Sequence, residues 1–154
     1  MKREYPERPL VGVGAVIVED GRVALIRRGK PPLEGEWSIP GGGLELGETL
    51  SEGVVREALE ETGLTVEPQN LLGVFDRLMR DAEQRVHYHY VLVDFLCRRI
   101  KGELGAAGDA IEAGWFTPEQ IAELNLPQDT VEVIRVGLSK ASRNGPHFHA
   151  GRSG

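Results

Sequence analysis

The first third of this 154-residue chain alternates short apolar runs with polar and glycine-rich breaks, a pattern that predicts several strands. Residues 11–19 and 22–28 are β-rich runs, and the Asp20-Gly21 dipeptide between them is typical of a type I′ hairpin turn. We therefore expect two adjacent antiparallel strands. The next predicted features are a loop, a short extended segment and a glycine turn, at residues 29–35, 37–40 and 41–43.

The second half of the chain predicts two long strands followed by a short strand and two helices. The β-rich runs 71–79 and 86–99 flank a polar link, and residues 111–116 form a further short strand. The Thr-Pro-Glu-Gln tetrapeptide at 117–120 combines a capping box with proline at the first helical position, so it begins a short helix. A final helix is expected over residues 127–140.

Strands mixed with helices indicate one layered α/β domain. A chain of 154 residues is long enough for one domain with a full core and short for two. We assign residues 10–140 to this domain and residues 1–9 to an N-terminal extension. Residues 141–154 are rich in Gly, Ser and His, and we expect a mobile tail there.

The best-defined predicted element is a helix near the middle of the chain. Thr49 and Glu52 have the spacing of a capping box, which places the first helical residue at Leu50. Gly63 is the residue type that ends helices in the left-handed conformation, so the last helical residue is expected near Thr62.

This helix carries a cluster of like charges. At 100° per residue, Glu57, Glu60 and Glu61 fall within an arc of about 100°. Such pairs destabilise a helix by roughly 0.2–0.5 kcal/mol each, and the cluster also lies at the negative end of the helix dipole. The opposite side is expected to pack inward through Val55, Ala58, Leu59 and Thr62.

Two explanations fit this acidic cluster. Acidic residues on a helix often form only a solvated face. Alternatively, a bound cation relieves the repulsion, and clustered carboxylate oxygens suit a hard divalent ion such as Mg²⁺ or Mn²⁺. The charge pattern alone leaves both explanations open.

Composition narrows the range of partners and compartments. The chain has 24 acidic against 18 basic residues, and the net charge of −6 argues against nucleic-acid polymers as partners. A small phosphorylated substrate remains compatible, because a bound metal would supply positive charge locally. The single cysteine, Cys97, ends an apolar run and is expected to be buried. With no signal-peptide core and no apolar run of membrane-spanning length, a cytoplasmic location is expected.

The spacing of the central segment resembles that of a known family. Seven residues match the pattern G-x5-E-x7-R-E-U-x-E-E-x-G-U of the Nudix hydrolases, and they are Gly42, Glu48, Arg56, Glu57, Glu60, Glu61 and Gly63. Ala58 is small for the bulky aliphatic U position, which is a mild departure. The preceding WSIPGGG segment also resembles the family, and the similarity extends from about residue 11 to residue 116. The resemblance implies an α/β/α sandwich around a mixed β-sheet.

The resemblance also implies roles for individual residues. Glu57, Glu60 and Glu61 would be metal ligands together with the Gly41 carbonyl, and Glu45 would bind a further ion. Arg56 would pair with Glu60 or Glu48 and fix the carboxylate rotamers. The glycines of the 41–43 turn, Gly42 and Gly43 among them, bring backbone groups close to the acidic cluster and to the substrate.

The general base is expected on the loop before the last strand, where some Nudix enzymes carry a carboxylate. Residues 102–113 form that loop, and we favour Glu112 over Asp109. Glu60 is an alternative base, and a merely solvated loop is the simplest explanation for either loop acid. Arg28 ends a strand that leads into the site and is the expected phosphate-binding residue.

The implied reaction is metal-dependent hydrolysis of a pyrophosphate bond in a nucleoside diphosphate derivative. ADP-ribose or a nucleotide sugar is the favoured small-molecule substrate. The alternatives are a nucleoside triphosphate pyrophosphohydrolase and a non-catalytic domain that senses nucleotides. Neither a nucleic-acid polymer nor a membrane is expected as a partner. Nudix proteins often form homodimers, and the sequence leaves the oligomeric state open.

Overall fold

The computed structural model describes residues 2–144, which form seven strands and three helices. The strands are β1 (Leu10–Glu19), β2 (Arg22–Arg28), β3 (Trp37–Ser38), β4 (Gly41–Gly43), β5 (Thr65–Arg80), β6 (Val86–Lys101) and β7 (Ala110–Phe116). The helices are α1 (Leu50–Thr62), α2 (Pro118–Ala122) and α3 (Gln128–Asn144). No helix in residues 2–144 is long and apolar enough to cross a membrane.

The strands form one mixed sheet in the order β3-β2-β1-β6-β5, with β4 paired to β1 and β7 paired to β2. Strands β1 and β6 run parallel, and the remaining pairs are antiparallel. Strand β1 changes partner along its length, because Gly12 and Gly14 pair with β4 whereas Val18 and Glu19 pair with β2. The sheet therefore opens beside β4.

Helices cover the sheet on both faces. Val54 and Ala58 of α1 pack with Val13 and Ala15 on one side of β1. On the other side, Val133 and Ile134 of α3 pack in a second cluster that includes Val16, Val23 and Leu25. Adjacent strand residues point to opposite faces, so β1 contributes to both clusters. The expected α/β/α sandwich around a mixed sheet is confirmed.

Several predicted elements need correction. The residues predicted as a glycine turn, Gly41–Gly43, form a short strand against β1. Strand β5 begins at Thr65 instead of residue 71, and it accommodates Pro68 at a register shift against β6. Helix α3 continues to Asn144, so the first residues assigned to the mobile tail are helical. The rest of that predicted tail lies outside the described residues.

Helix α1 has the predicted ends but a different buried face. Thr49 and Glu52 form the capping box, and Gly63 ends the helix with φ 76°. The prediction that Leu59 packs inward is wrong, because this residue is 50% exposed. Glu57 and Glu61 are instead only 8% exposed, since this side of the helix faces β4.

Candidate active site

A cavity of about 920 Å³ opens where β1 changes partner. Its walls include the acidic end of α1, all of β4, the loop after β2 and part of β6. Glu57, Glu60 and Glu61 all line it, as do Glu45 and Arg28. The structure therefore brings the sequence-predicted ligands to the edge of one cavity.

Two of the three helix glutamates are buried in this wall. Glu61 Oε1 accepts a 2.9 Å hydrogen bond from the Gly41 N–H. Burial raises the pKa of Glu61 to about 7, although the Gly41 hydrogen bond favours the ionised form. Burial also raises the pKa of Glu57, against the opposing effect of Arg56. Glu60 keeps about half of its side chain exposed, so it faces the open part of the cavity.

Arg56 contacts several of these carboxylates at once. It donates hydrogen bonds to both oxygens of Glu48, at 2.5 and 2.9 Å, and to the Gly43 carbonyl at 2.9 Å. Its Nη1 contacts Glu57 at 2.9 Å and Glu60 at 3.3 Å. Hydrogen bonding to Arg56 holds the pKa of Glu48 down at about 2. One guanidinium thus ties β4 to three carboxylates and restricts their rotamers.

The glycines of β4 allow its backbone to approach α1. A Cβ atom on Gly42 would lie 2.6 Å from the carboxylate atoms of Glu57. A Cβ atom on Gly41 would lie 2.3 Å from the Val13 carbonyl oxygen. Gly43 has open space at the same position. Glycine is therefore required at Gly41 if β4 is to lie against β1, whereas a side chain at Gly42 would displace the flexible end of Glu57.

These residues fit a hard divalent cation by their chemistry. Glu57 and Glu61 present buried carboxylates whose charged forms are disfavoured by desolvation, and a cation would reverse that preference. All the donors offered here, including Glu45 and the Gly41 carbonyl, are oxygens. Within residues 2–144, no three acidic, His or Cys side chains already surround a common point. Arg56 contacts one oxygen of Glu57 and one of Glu60, so the other oxygen of each remains for a cation.

The two candidate loop acids occupy different places. Asp109 lines the cavity and lies 3.3 Å from Lys30 Nζ. Its charge also adds to the effects that raise the pKa of Glu61. Glu112 lies on β7 instead of a loop, because this strand already begins at Ala110, and it pairs with Arg27 at 3.5 Å outside the cavity lining.

The two arginines at the end of β2 point to opposite faces. Arg28 lines the cavity, and its Nε donates a 2.6 Å hydrogen bond to the Pro32 carbonyl. Arg27 points to the opposite face, where it donates to the Gly35 carbonyl. Sequence reasoning missed Asp94, which also lines the cavity. A single acid inside the apolar run of residues 91–97 was the available signal.

Comparisons with known proteins agree with this fold. The sequence model of the NUDIX domain matches residues 8–136. An "ADP-ribose pyrophosphatase" of Methanocaldococcus jannaschii is 37% identical over 80% of this chain and 70% of its own length. A "MutT-like protein" of Streptomyces ambofaciens is 37% identical over 89% of this chain and 79% of its own.

A solved structure of a NUDIX protein also resembles the fold of this chain. The crystal structure of a MutT NUDIX hydrolase from Burkholderia pseudomallei superposes with a TM-score of 0.68 at 34% identity, covering 88% of this chain and 99% of the other. The chain belongs to the Nudix hydrolase family. It is a hydrolase of a class that acts on small nucleotide substrates and generally uses divalent metal ions.

Proposed function

We propose that this enzyme hydrolyses the pyrophosphate bond of a nucleoside diphosphate derivative with Mg²⁺ or Mn²⁺. ADP-ribose or a nucleotide sugar is the favoured substrate. The observation that carries the proposal is the burial of Glu57 and Glu61 against the glycine backbone of β4, at the wall of a cavity of about 920 Å³. A cavity of this size can enclose a dinucleotide-sized ligand.

The bound cations would neutralise the phosphate oxygens and make an attacking water acidic. Glu57, Glu60 and Glu61 would hold these ions, with the Gly41 carbonyl and Glu45 completing the donor set. Glu61 is fixed by its hydrogen bond from the Gly41 N–H. This contact orients one carboxylate oxygen and leaves the other, Oε2, for a ligand.

The chain also supplies groups for proton transfer and phosphate binding. Asp109 is the proposed proton acceptor, because its carboxylate lines the cavity whereas that of Glu112 does not. Arg28 and Lys30 line the same wall and would contact the phosphates of the substrate. Arg56 positions the metal-binding carboxylates through its contacts with Glu48 and Glu57.

The substrate preference is supported by the M. jannaschii relative, which is named an ADP-ribose pyrophosphatase and is 37% identical. A nucleoside triphosphate is the alternative substrate, since it offers the same anhydride bond. The buried, unpaired thiol of Cys97 suits the reducing cytoplasm that we propose as the location.

The direct test is a panel of ADP-ribose, nucleotide sugars, dinucleoside polyphosphates and nucleoside triphosphates, assayed with and without Mg²⁺ or Mn²⁺. We expect metal-dependent cleavage, fastest for ADP-ribose or a nucleotide sugar. Faster cleavage of triphosphates would shift the assignment to the alternative. Tight binding without cleavage across the whole panel would contradict the enzyme and favour a nucleotide-sensing domain.

A further inference from the structure

The cavity contains a buried carboxylate that the hydrolysis proposed above does not use. Asp94 on β6 is 6% exposed and lines the cavity. Neither of its carboxylate oxygens accepts a hydrogen bond from a donor in residues 2–144, and neither is a fully buried atom, so both reach the open cavity. A ligand in the cavity would supply the missing donor.

The fold makes room for this carboxylate beside β1. Asp94 is the register partner of Gly14, and a Cβ atom on Gly14 would lie 2.3 Å from Asp94 Oδ1. Gly14 in turn pairs with Gly41, whose N–H binds Glu61. Two strand spacings, about 10 Å, separate the backbones of Asp94 and Gly41, and the Asp94 carboxylate lies over β1 between them. The carboxylate is therefore within the length of a nucleotide from the proposed metal site.

An arginine lines the same cavity, on β5 opposite Tyr90, four residues along β6 from Asp94. Arg77 donates a 2.7 Å hydrogen bond to Asp129 at the start of α3, and both residues line the cavity. Arg77 forms no ion pair with Asp94, although its charge lowers the pKa of that residue. A guanidinium has five N–H donors, so further donors remain for a ligand. Phe75 and Tyr90 add aromatic surface to the same part of the cavity.

The charges of Asp94 and Arg77 disfavour two kinds of ligand. A phosphate group is disfavoured, because the charge of Asp94 would repel it. A metal ion is disfavoured as well, since Asp129 is already paired with Arg77 and the guanidinium would repel a cation. A neutral, planar group that carries both an N–H donor and an acceptor matches Asp94 and Arg77.

We propose that Asp94 and Arg77 form the nucleobase subsite of this enzyme. Asp94 accepts a hydrogen bond from an N–H group of the base, and Arg77 donates to an acceptor on the same base. The inference rests on the proposed function for the substrate class, and it names the residues that select the base. Asp94 is thus a specificity-determining residue at the end of the cavity away from α1.

The test measures binding instead of turnover. Calorimetry with AMP, GMP, CMP and UMP, in the presence of Mg²⁺, identifies the base that binds most tightly. These monophosphates have no anhydride bond, so their binding is independent of whether the protein hydrolyses anything. The best ligand is then compared with an analogue methylated at its N–H donor, for example N6,N6-dimethyl-AMP if AMP binds best.

The comparison is made in wild type and in Asp94→Ala. Methylation is expected to weaken wild-type binding by about tenfold and to have less than about a twofold effect in the variant. The reason is that methylation removes the donor, and the substitution the acceptor, of the same hydrogen bond. Asp76→Ala is the matched control, since Asp76 is an exposed aspartate on β5, next to Arg77 but outside the cavity lining. This control should retain the full methylation effect.

Two results would overturn the inference. One is an equal methylation effect in wild type and Asp94→Ala. The other is binding that does not depend on the base. If Asp94→Ala does not fold, Asp94→Asn replaces it, because the amide keeps the shape and turns one acceptor into a donor. Base-dependent binding coupled to Asp94 without cleavage of any substrate would contradict the proposed function alone.

Discussion

Glu61 shows how one side chain belongs both to the fold and to the proposed chemistry. Its Oε1 caps the Gly41 N–H of β4, which would otherwise be a strand donor without a partner. Burial raises its pKa to about 7, so this carboxylate is poised between its protonated and ionised forms. A divalent cation would stabilise the ionised form, and the same residue would then serve as a ligand.

Replacing this carboxylate separates the two roles. Glu61→Gln retains a carbonyl oxygen for the Gly41 N–H but loses the charge, so we expect kcat to fall by at least about 10²-fold while the fold persists. Glu60→Gln should show a similar loss. Steady-state kinetics and thermal unfolding check both variants. Glu119→Gln on the exposed surface of α2 is the control, and near-full turnover of Glu61→Gln would refute the ligand assignment.

The choice of general base can be decided with a pair of variants. Asp109→Asn removes the carboxylate that lines the cavity, whereas Glu112→Gln alters one that pairs with Arg27 outside it. We expect Asp109→Asn to lower kcat by about 10²-fold or more and Glu112→Gln to change it by less than about twofold. The reverse order in a kcat comparison would show that Glu112 is the base.

At the scale of elements, β4 determines the position of the acidic face of α1. The strand lies between β1 and the helix, and Gly42 is so close to Glu57 that a methyl group would displace its carboxylate. Gly43, one residue later, has no neighbour within 4 Å of the equivalent position. The two glycines thus provide a test and its control on the same strand.

Gly42→Ala should push the Glu57 carboxylate out of place. Because this carboxylate is the end of a flexible side chain, we expect a small loss of stability but a tenfold to hundredfold loss of Mn²⁺ affinity, the range seen when the support of a metal ligand is removed. Gly43→Ala should bind Mn²⁺ like the wild type. Mn²⁺ titrations followed by electron paramagnetic resonance check the pair, and equal affinities would contradict the proposed role of β4.

The caps of α1 were predictable from sequence, but its buried face was not. Thr49, Glu52 and Gly63 act locally, so their spacing alone fixes the ends of the helix. The buried face depends on what lies over the helix. Periodicity favours burying Leu59, but β4 approaches from the other side and covers Glu57 instead.

The family pattern identified the acidic residues of α1 without showing their contacts. Arg28 lines the cavity and Arg27 does not, because strand alternation puts these two residues on opposite faces. The order of Glu112 and Asp109 depended on where β7 begins, and strand ends are set by pairing with β2. Asp94 and Arg77 line one cavity because β5 pairs with β6, where Gly73 faces Asp94 and Arg77 faces Tyr90, and no local signal reveals this pairing.

For the whole molecule, Asp94 should make stability depend on pH. Burial raises its pKa from 3.8 to about 6, with the charge of Asp129 adding to this effect and that of Arg77 opposing it. Since the folded-state pKa lies above the unfolded one, the folded protein loses stability as pH rises through about 6. The loss is complete above that pH and absent below pH 3.8.

Asp94→Asn removes this titration while keeping the shape of the side chain. We expect the variant to gain about 3 kcal/mol relative to wild type between pH 4 and pH 8, an order-of-magnitude figure from the size of the pKa shift. Urea unfolding of both proteins at each pH measures the difference, and other titrating groups cancel in it. A difference that does not change with pH would show that Asp94 has an ordinary pKa.

The most direct test of the central claim is Mn²⁺ binding to the wild type and to the Glu57→Gln/Glu61→Gln double variant, in the presence of AMP, which lacks an anhydride bond. The account predicts saturable binding to the wild type and a loss of at least about a hundredfold in the double variant, with both proteins folded. Equal Mn²⁺ affinity in the two proteins, or no binding to the wild type, would contradict it.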